Sequence, residues 1–490
     1  MMRSPLAILI DTNVFVAAEA HAEGDHAYGP AAAELLRVAA AVGFRVCLSA
    51  ATAADVSGAV GDVGARRRRA LRKYDVLPQA PVPAAVRAVF GHPDRVQHRN
   101  DMQIVATYAT GVAAFLVSND AQLRSRARRS GLDNVLSLAE GLAYLGMLQA
   151  PRLLLPPAAT RVEALEVNID VPLFDSLKDD YDFVTWWRTK VVPERRDVLV
   201  IGEPSAPDAI AVLKDEEHAP WEPGAPSRVL KVCTFKVSED AQGVRRGELL
   251  LKSVVEYARE RGHARIYLEV YPKREELIEW LPRFGFSHVM TKQSDELVYA
   301  KRLVPVRGDP PLDPLQHAVT YGPGSVRVER AHIVPIQDRW HRRLLPEATD
   351  QGDLFAGTEA CGNAVLKAYV CRAPTKKVKP GDILLFLRTG AGPSHVTAIG
   401  VVERTTRPAD VGELVSVVGT RTVYSAAELA AFCDQGQTLA VLFRMDRRVS
   451  PTWRLAELHK ADAVHGIPQS ITQLQPGGVE WLSSRLDASY

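Results

Sequence analysis

The stretch VLKVCTFKVSEDAQGVRRGELLLKSVVEYARERG (residues 229–262) contains a change of period that decides how the chain around it folds. It opens on β-branched, aromatic and other strand-forming side chains, VLKVCTFKVS, and reads as a strand. A polar, glycine-containing loop follows, and from Gly247 to about Arg261 the apolar residues return at helical spacing. Strand, short loop and helix N-terminus make a cradle for a pyrophosphate, because unsatisfied backbone N–H groups and the positive end of the helix dipole meet there. Arg245 and Arg246 would add charge-assisted hydrogen bonds to the phosphates. The same residues also suit a plain basic loop, so the neighbouring elements must decide.

Upstream lie strand-like RVEALEVNI, a helical FDSLKDDYDFVTWWRTK, and the short strands DVLVIGE and AIAVLK. Downstream come the strand RIYLEVY, a helix through REELIEWLPRF, and GFSHVMTKQSDELVYAKRL as a hairpin. In this order residues 162–304 resemble the GNAT acetyltransferases, whose phosphate loop reads Q/R-x-x-G-x-G/A. Gln242 and Gly247 match that pattern, and Arg245 replaces its first glycine. The resemblance implies a mixed α+β sheet that holds acetyl-CoA in a splayed strand pair. Backbone groups at Thr234, Phe235 and Val237 would bind it, together with Gln242, Arg245, Arg246, Gly247 and Glu248. Many members carry a tyrosine as proton donor to the leaving thiolate where this chain has Leu281. Trp280 cannot replace it, since an indole N–H is no usable acid. Tyr267, Tyr271, Tyr299 or water remain as substitutes. Trp186 and Trp187 are core residues or line the acceptor side.

Two proline-rich seams, at residues 149–161 and 305–325, cannot continue a helix or a central strand and read as linkers. They divide the 490 residues into domains at 1–148, 162–304 and 326–490. With 47% hydrophobic and 24% charged residues, each piece can bury a core. A net charge of +2 says nothing about partners. The runs RRRRALRK and RSRARR in the first piece read as solvated helix faces, and together they lean towards a polyanion. Five cysteines without a C-x-x-C fit a reducing compartment. No signal peptide or bilayer-length apolar run is visible, which predicts a cytoplasmic protein that engages no membrane.

The first piece alternates β-rich runs with helical stretches, which predicts a parallel sheet covered on both faces. Asp11 closes the first strand, Asp55 lies where a strand passes into a helix, Asp101 opens a helix, and Asp120 follows LVSN. In a parallel sheet such positions gather at one edge. Taken singly, each aspartate suits a cap or a turn. Together they would repel one another unless a hard cation such as Mg2+ or Mn2+ neutralised them, and such an ion can activate water for attack on a phosphodiester. LIDTNVFVAA, LSAATAAD, NDMQIVATY and LVSNDAQL resemble the four motif blocks of PIN-domain ribonucleases. The resemblance implies an α/β/α sandwich with Asp11, Asp55, Asp101 and Asp120 as metal ligands and catalytic acids. Asn13, Ser118 and Asn119 would assist. Asp55 stands where the family usually has Glu.

The last piece is mainly β, with GDILLFLR, VTAIGVVERTTR, RTVYS and LAVLFRMD as strands. It resembles PUA-like domains of the ASCH or EVE type, which implies a small β-barrel that binds RNA. Lys367, Tyr369, Arg421, Thr422, Gln469 and Ser470 are candidate contacts, by hydrogen bonding or base stacking. For Tyr369, burial on an amphipathic face is an equal alternative. The combined expectation is an RNA-directed multidomain enzyme, a metal-dependent ribonuclease joined to an acetyltransferase, with RNA or tRNA as its partner. Because both catalytic families include toxins, a toxin or stress role with an antitoxin partner follows by analogy. The competing expectation is a regulator that senses acetyl-CoA and binds nucleic acid, its catalytic folds being inactive scaffolds.

Overall fold

The computed structural model describes residues 6–19, 26–149, 159–222, 228–238, 246–306, 308–345, 365–390, 392–434 and 436–487. The chain forms two compact units: Met1–Arg152 with Arg407–Ala440, and Leu153–Thr406 with Val441–Tyr490.

The first unit is built on β1 (Ala7–Ile10), β2 (Arg45–Ser49), β3 (Asp75–Leu77), β4 (Phe115–Val117) and β5 (Val135–Leu136). The sheet order is β3-β2-β1-β4-β5, and every pair is parallel, as the alternation predicts. β1 and β4 are buried along their whole length, which is what crossover helices over a parallel sheet require. The helices Val411–Val418 and Ala426–Asp434, distant in sequence, also belong to this unit. Tyr144 donates its hydroxyl to Val415 O at 3.1 Å, and Leu414, Val415 and Val418 are fully buried. RTVYS, expected as a strand, is instead the turn between these helices, beginning with the 3-10 segment Gly419–Arg421. There Thr422 Oγ1 accepts from Tyr424 N, and Tyr424 is buried with its ring edge-on to Phe432. The β-favouring residues serve a local core, not a ladder.

The second unit holds two sheets. One contains β6 (Ala159–Val162), β7 (Val198–Glu203), β8 (Ala206–Glu216), β9 (Val229–Val237), β10 (Arg265–Val270), β11 (Phe286–Thr291) and β12 (Leu297–Arg302). Its order is β11-β12-β10-β9-β8-β7-β6. β9 and β10 run parallel while their neighbours pair antiparallel, giving the mixed sheet expected. A parallel pair needs a crossover, and the helix Arg246–Glu260 supplies it. That helix buries Leu249, Leu250, Val254, Val255 and Ala258 in the sheet's core, each worth up to about 1.5–3 kcal/mol for the larger side chains.

The other sheet contains β13 (Ala331–Gln337), β14 (Leu366–Cys371), β15 (Ile383–Thr389), β16 (His395–Thr406), β17 (Leu439–Arg454) and β18 (Thr472–Gln473), in the order β14-β17-β16-β15-β13-β18. The closed barrel expected here is not seen: among the described residues the edges β14 and β18 do not pair. β18 is only two residues long, and the helices Leu455–Lys460 and Pro476–Asp487 bring Leu458, Leu482 and Leu486 into the sheet's core. Helices cover apolar surface that closure would otherwise bury.

Candidate functional site

The crossover marks the place where the mixed sheet opens. β9 and β10 pair from Val229 to Val232 against Arg265 to Leu268 and then part, although both strands continue. β9 stays on β8 through a bulge at Cys233, since Leu213 pairs with Val232 and Val212 with Thr234. One extra residue increases the local twist and carries β9 away from β10. The crossover helix starts beside the far end of β9: a Cβ added at Gly247 would lie 3.7 Å from Val237 Cγ2 and 4.0 Å from Trp280 Cζ2. Phe235, Trp280 and Phe284 form an aromatic wall, with ring centroids 5.9 Å and 4.4 Å apart in succession. Arg246 pairs with Asp208 at 2.6 Å. Gly202, at φ +90°, allows this, because a Cβ there would come within 2.9 Å of Asp208 Oδ2. Glu248 accepts from Leu366 N at 3.3 Å, which ties the helix start to β14. Gln242 and Arg245 lie outside the described residues.

On the other face of the opening, Thr234 sits opposite Val212, a member of an aromatic-rich core with Phe174, Phe183 and Trp187. Trp187 is 3% exposed and Trp186 packs against it partly buried, so one of the pair is core, as expected. Thr234 is 5% exposed, and its hydroxyl has no hydrogen-bond partner. The Tyr181 hydroxyl faces it without reaching hydrogen-bond geometry, and burial pushes the Tyr181 pKa up to about 12, against a lowering influence from Thr234. The segment carrying Tyr181 is fastened from β9 and from the residues that follow β10. Lys236 Nζ donates to Ser176 Oγ at 2.7 Å, while Lys273 and Arg274 each hold Asp180 at 2.5 Å. Leu281 is buried in the core and can supply no proton. Tyr267 donates to Glu216, and the Tyr299 ring packs on His288. Tyr271, just past β10, lies under Lys273 Nζ at 5.7 Å. Tyr181 went unrecognised in the sequence, where only the two tryptophans of its helical stretch drew notice. The bulge that orients Thr234 towards it leaves no mark in composition.

In the first unit Asp11 and Asp120 follow β1 and β4 as helix N-caps, whereas Asp55 lies within the helix Ala50–Ser57. Asp101 lies inside the helix Val96–Ala109, not at its opening as expected, because that helix begins five residues earlier. Asp11 is 4% exposed; it accepts from Thr12 N at 2.6 Å and from Ser118 Oγ at 2.7 Å. Asn13 donates to Ser118 Oγ at 3.4 Å and accepts from Asn119 N at 3.3 Å, so the three expected assisting residues do meet. Asp120 caps the helix Ala121–Arg129 through Gln122 N and Leu123 N. Burial, with Asp120 and Asp55 adding repulsion, raises Asp11 to about 6. Burial, then Asp11, Asp120 and Asp55, raise Asp101 to about 7 against the pull of Arg126. Asp11 and Asp101 therefore both feel neighbouring carboxylates. Among the described residues, however, no three His, Cys, Asp or Glu side chains stand close enough to enclose an ion. Carboxylate oxygens are the donor type that Mg2+ or Mn2+ takes, but as placed here these four do not enclose an ion. Part of the RSRARR run is structural: Arg124 is buried and donates to Ser118 O, and Arg128 donates to Val135 O.

The expected nucleic-acid contacts have varied settings. Lys367 is buried and donates to Leu344 O, and Tyr369 is buried with its hydroxyl on Pro335 O. Gln469 and Ser470 are exposed just before β18. Arg421 and Thr422 fall in the first unit, with Thr422 buried. Among the described residues no helix is long and apolar enough to cross a membrane.

Residues 209–286 match the model of the acetyltransferase (GNAT) family, a span that runs from within β8 to the start of β11 and contains the splay. The chain thus contains a GNAT acetyltransferase domain. Among solved structures, the ASCH protein from Zymomonas mobilis is 13% identical, with 31% of this chain and 94% of that chain covered and a TM-score of 0.24. A Desulfovibrio desulfuricans protein assigned to the GNAT family is 17% identical, with 30% and 99% covered and a TM-score of 0.24. Arabidopsis thaliana Naa50 is 17% identical, with 21% and 71% covered and a TM-score of 0.18. No curated protein matches the chain.

Proposed function

We propose that the second unit transfers an acetyl group from acetyl-CoA to an amine. The parting of β9 from β10 after Val232 and Leu268, inside the family-matched span, carries this reading. The fit to the cofactor rests on the backbone of β9 from Thr234 to Val237, which pairs with β8 but not with β10, a helix starting at Arg246, and a buried Thr234 hydroxyl without a well-formed hydrogen bond. When bound, acetyl-CoA would supply the activated acyl group. Arg246, Gly247 and Glu248 would flank its phosphates at the helix N-terminus. Incubating the protein with acetyl-CoA and amines on RNA, aminoacyl-tRNA or protein tests transfer by the CoA released. Release that depends on an acceptor supports it, and binding without release with any acceptor favours the acetyl-CoA-sensing regulator instead.

A second activity is suggested by Asp11 and Asp101, which are raised first by burial and then by repulsion from neighbouring aspartates. We read the first unit as a PIN-type endoribonuclease, with Asp11, Asp55, Asp101 and Asp120 holding Mg2+ or Mn2+, and the open sheet of β13 to β18 as an RNA-binding surface. The ion would neutralise the carboxylates and supply an activated water. Ser118 and Asn13 keep the Asp11 carboxylate oriented through their hydrogen bonds. RNA, including tRNA, would be the shared substrate in the cytoplasm, and an antitoxin would be the partner if the protein is a toxin. Cleavage of RNA with Mg2+ by the wild type but not by Asp11→Asn is the expected result; equal activity in both removes the nuclease.

A further inference from the structure

Acyl transfer leaves negative charge on the departing sulfur, and this domain has Leu281, buried in the core, where relatives place a tyrosine. We propose that Tyr181 supplies the missing hydroxyl, donating a hydrogen bond to the leaving thiolate of CoA beside Thr234. The assignment rests on the acetyl-CoA reading of the cleft.

Four observations converge on it. Thr234 lies two residues past the last β9–β10 pair, so it borders the opening. Its register opposite Val212 directs its side chain to the face of the aromatic core, from which Tyr181 approaches. Its buried hydroxyl makes no well-formed hydrogen bond, and the Tyr181 hydroxyl lies beside it. The Tyr181 segment is pinned at this spot by Lys236, Lys273 and Arg274, so the hydroxyl is held before a ligand arrives.

The chemistry limits what Tyr181 does. As the acceptor nitrogen forms the C–N bond, the C–S bond breaks and its electron pair goes to sulfur. An ordinary thiol has a pKa of about 8.5, well below that of the Tyr181 hydroxyl at about 12. Full proton transfer from tyrosine to sulfur is therefore uphill. Tyr181 keeps its proton and stabilises the thiolate by hydrogen bonding, and the proton released by nitrogen reaches sulfur through water. Raised as it is, the hydroxyl stays a donor throughout the working pH range.

The test needs no acceptor. The thiol of bound CoA is titrated by thiolate absorbance in the full-length protein, as the difference between its complexes with CoA and with desulfo-CoA, which cancels the protein's own cysteines. Wild type is expected to hold that thiol about one pH unit or more below its value in Tyr181→Phe, which keeps the ring in its core. Thr234→Val should move it in the same direction by less, and Tyr271→Phe should leave it unchanged. Equal values in wild type and Tyr181→Phe overturn the assignment, as does a shift produced by Tyr271→Phe alone. If wild type binds no CoA, the acetyl-CoA reading itself fails and the assignment with it.

Discussion

Gly285 adopts φ +80°, and a Cβ there would come within 2.1 Å of Val319 O and 2.8 Å of Lys301 Nζ. Lys301 is fully buried and donates to Val319 O and Thr320 O, so the glycine makes room for a polar joint that has no slack. Gly285→Ala should destabilise the second unit by about 2 kcal/mol or more, read by denaturant unfolding. Asp101 offers a pH-dependent counterpart. Its pKa is about 7 in the fold against the model-peptide value of about 3.9, so between these values the folded state holds the extra proton. Stability contributed by the protonated carboxyl is complete below about 4 and is lost as pH rises through 7. Asp101→Asn escapes that loss: its melting temperature should exceed wild type by a margin that grows from pH 4 to 7 and then levels off. Mg2+ should narrow the margin by stabilising wild type alone. A margin independent of pH would mean that neither burial nor the neighbouring carboxylates raise Asp101.

At the scale of elements, the parallel β1–β5 sheet and the strand, loop and helix at residues 229–262 were readable because period and turn composition are local properties. Asp11 and Asp120 were readable as residues following strands, but the place of Asp101 inside the helix Val96–Ala109 was not, because the helix starts upstream of the polar residues that suggest a cap. The bulge at Cys233 was not, because it depends on how β8 and β9 match in register. Nor was the pairing of Val411–Val418 with the first unit, which needs contacts across more than half the chain. β-branched residues in RTVYS and in VGELVSVV carry no label for the partner that buries them. Val415, with no exposed surface and its carbonyl on Tyr144, tests this pairing. Val415→Asp should cost the first unit about 3 kcal/mol or more by burying an unpaired charge. Amide hydrogen exchange should then quicken in the helix Leu138–Gln149 while β7 to β10 keep their protection. Equal protection in both proteins would show that the helix pair contributes nothing to that unit.

For the whole molecule, each unit holds one candidate site: buried, mutually repelling carboxylates in the first, and a splayed mixed sheet with a helix N-terminus at its mouth in the second. A near-neutral net charge of +2 leaves recognition to these local sites. The central claim is the acetyl-CoA cleft, and calorimetric titration of acetyl-CoA into the full-length protein tests it most directly. Saturable binding of one molecule per chain is the predicted result. It should raise the stability of the second unit by about 2.7 kcal/mol at a hundredfold excess over Kd. Absence of any binding heat or stabilisation at millimolar acetyl-CoA would contradict it.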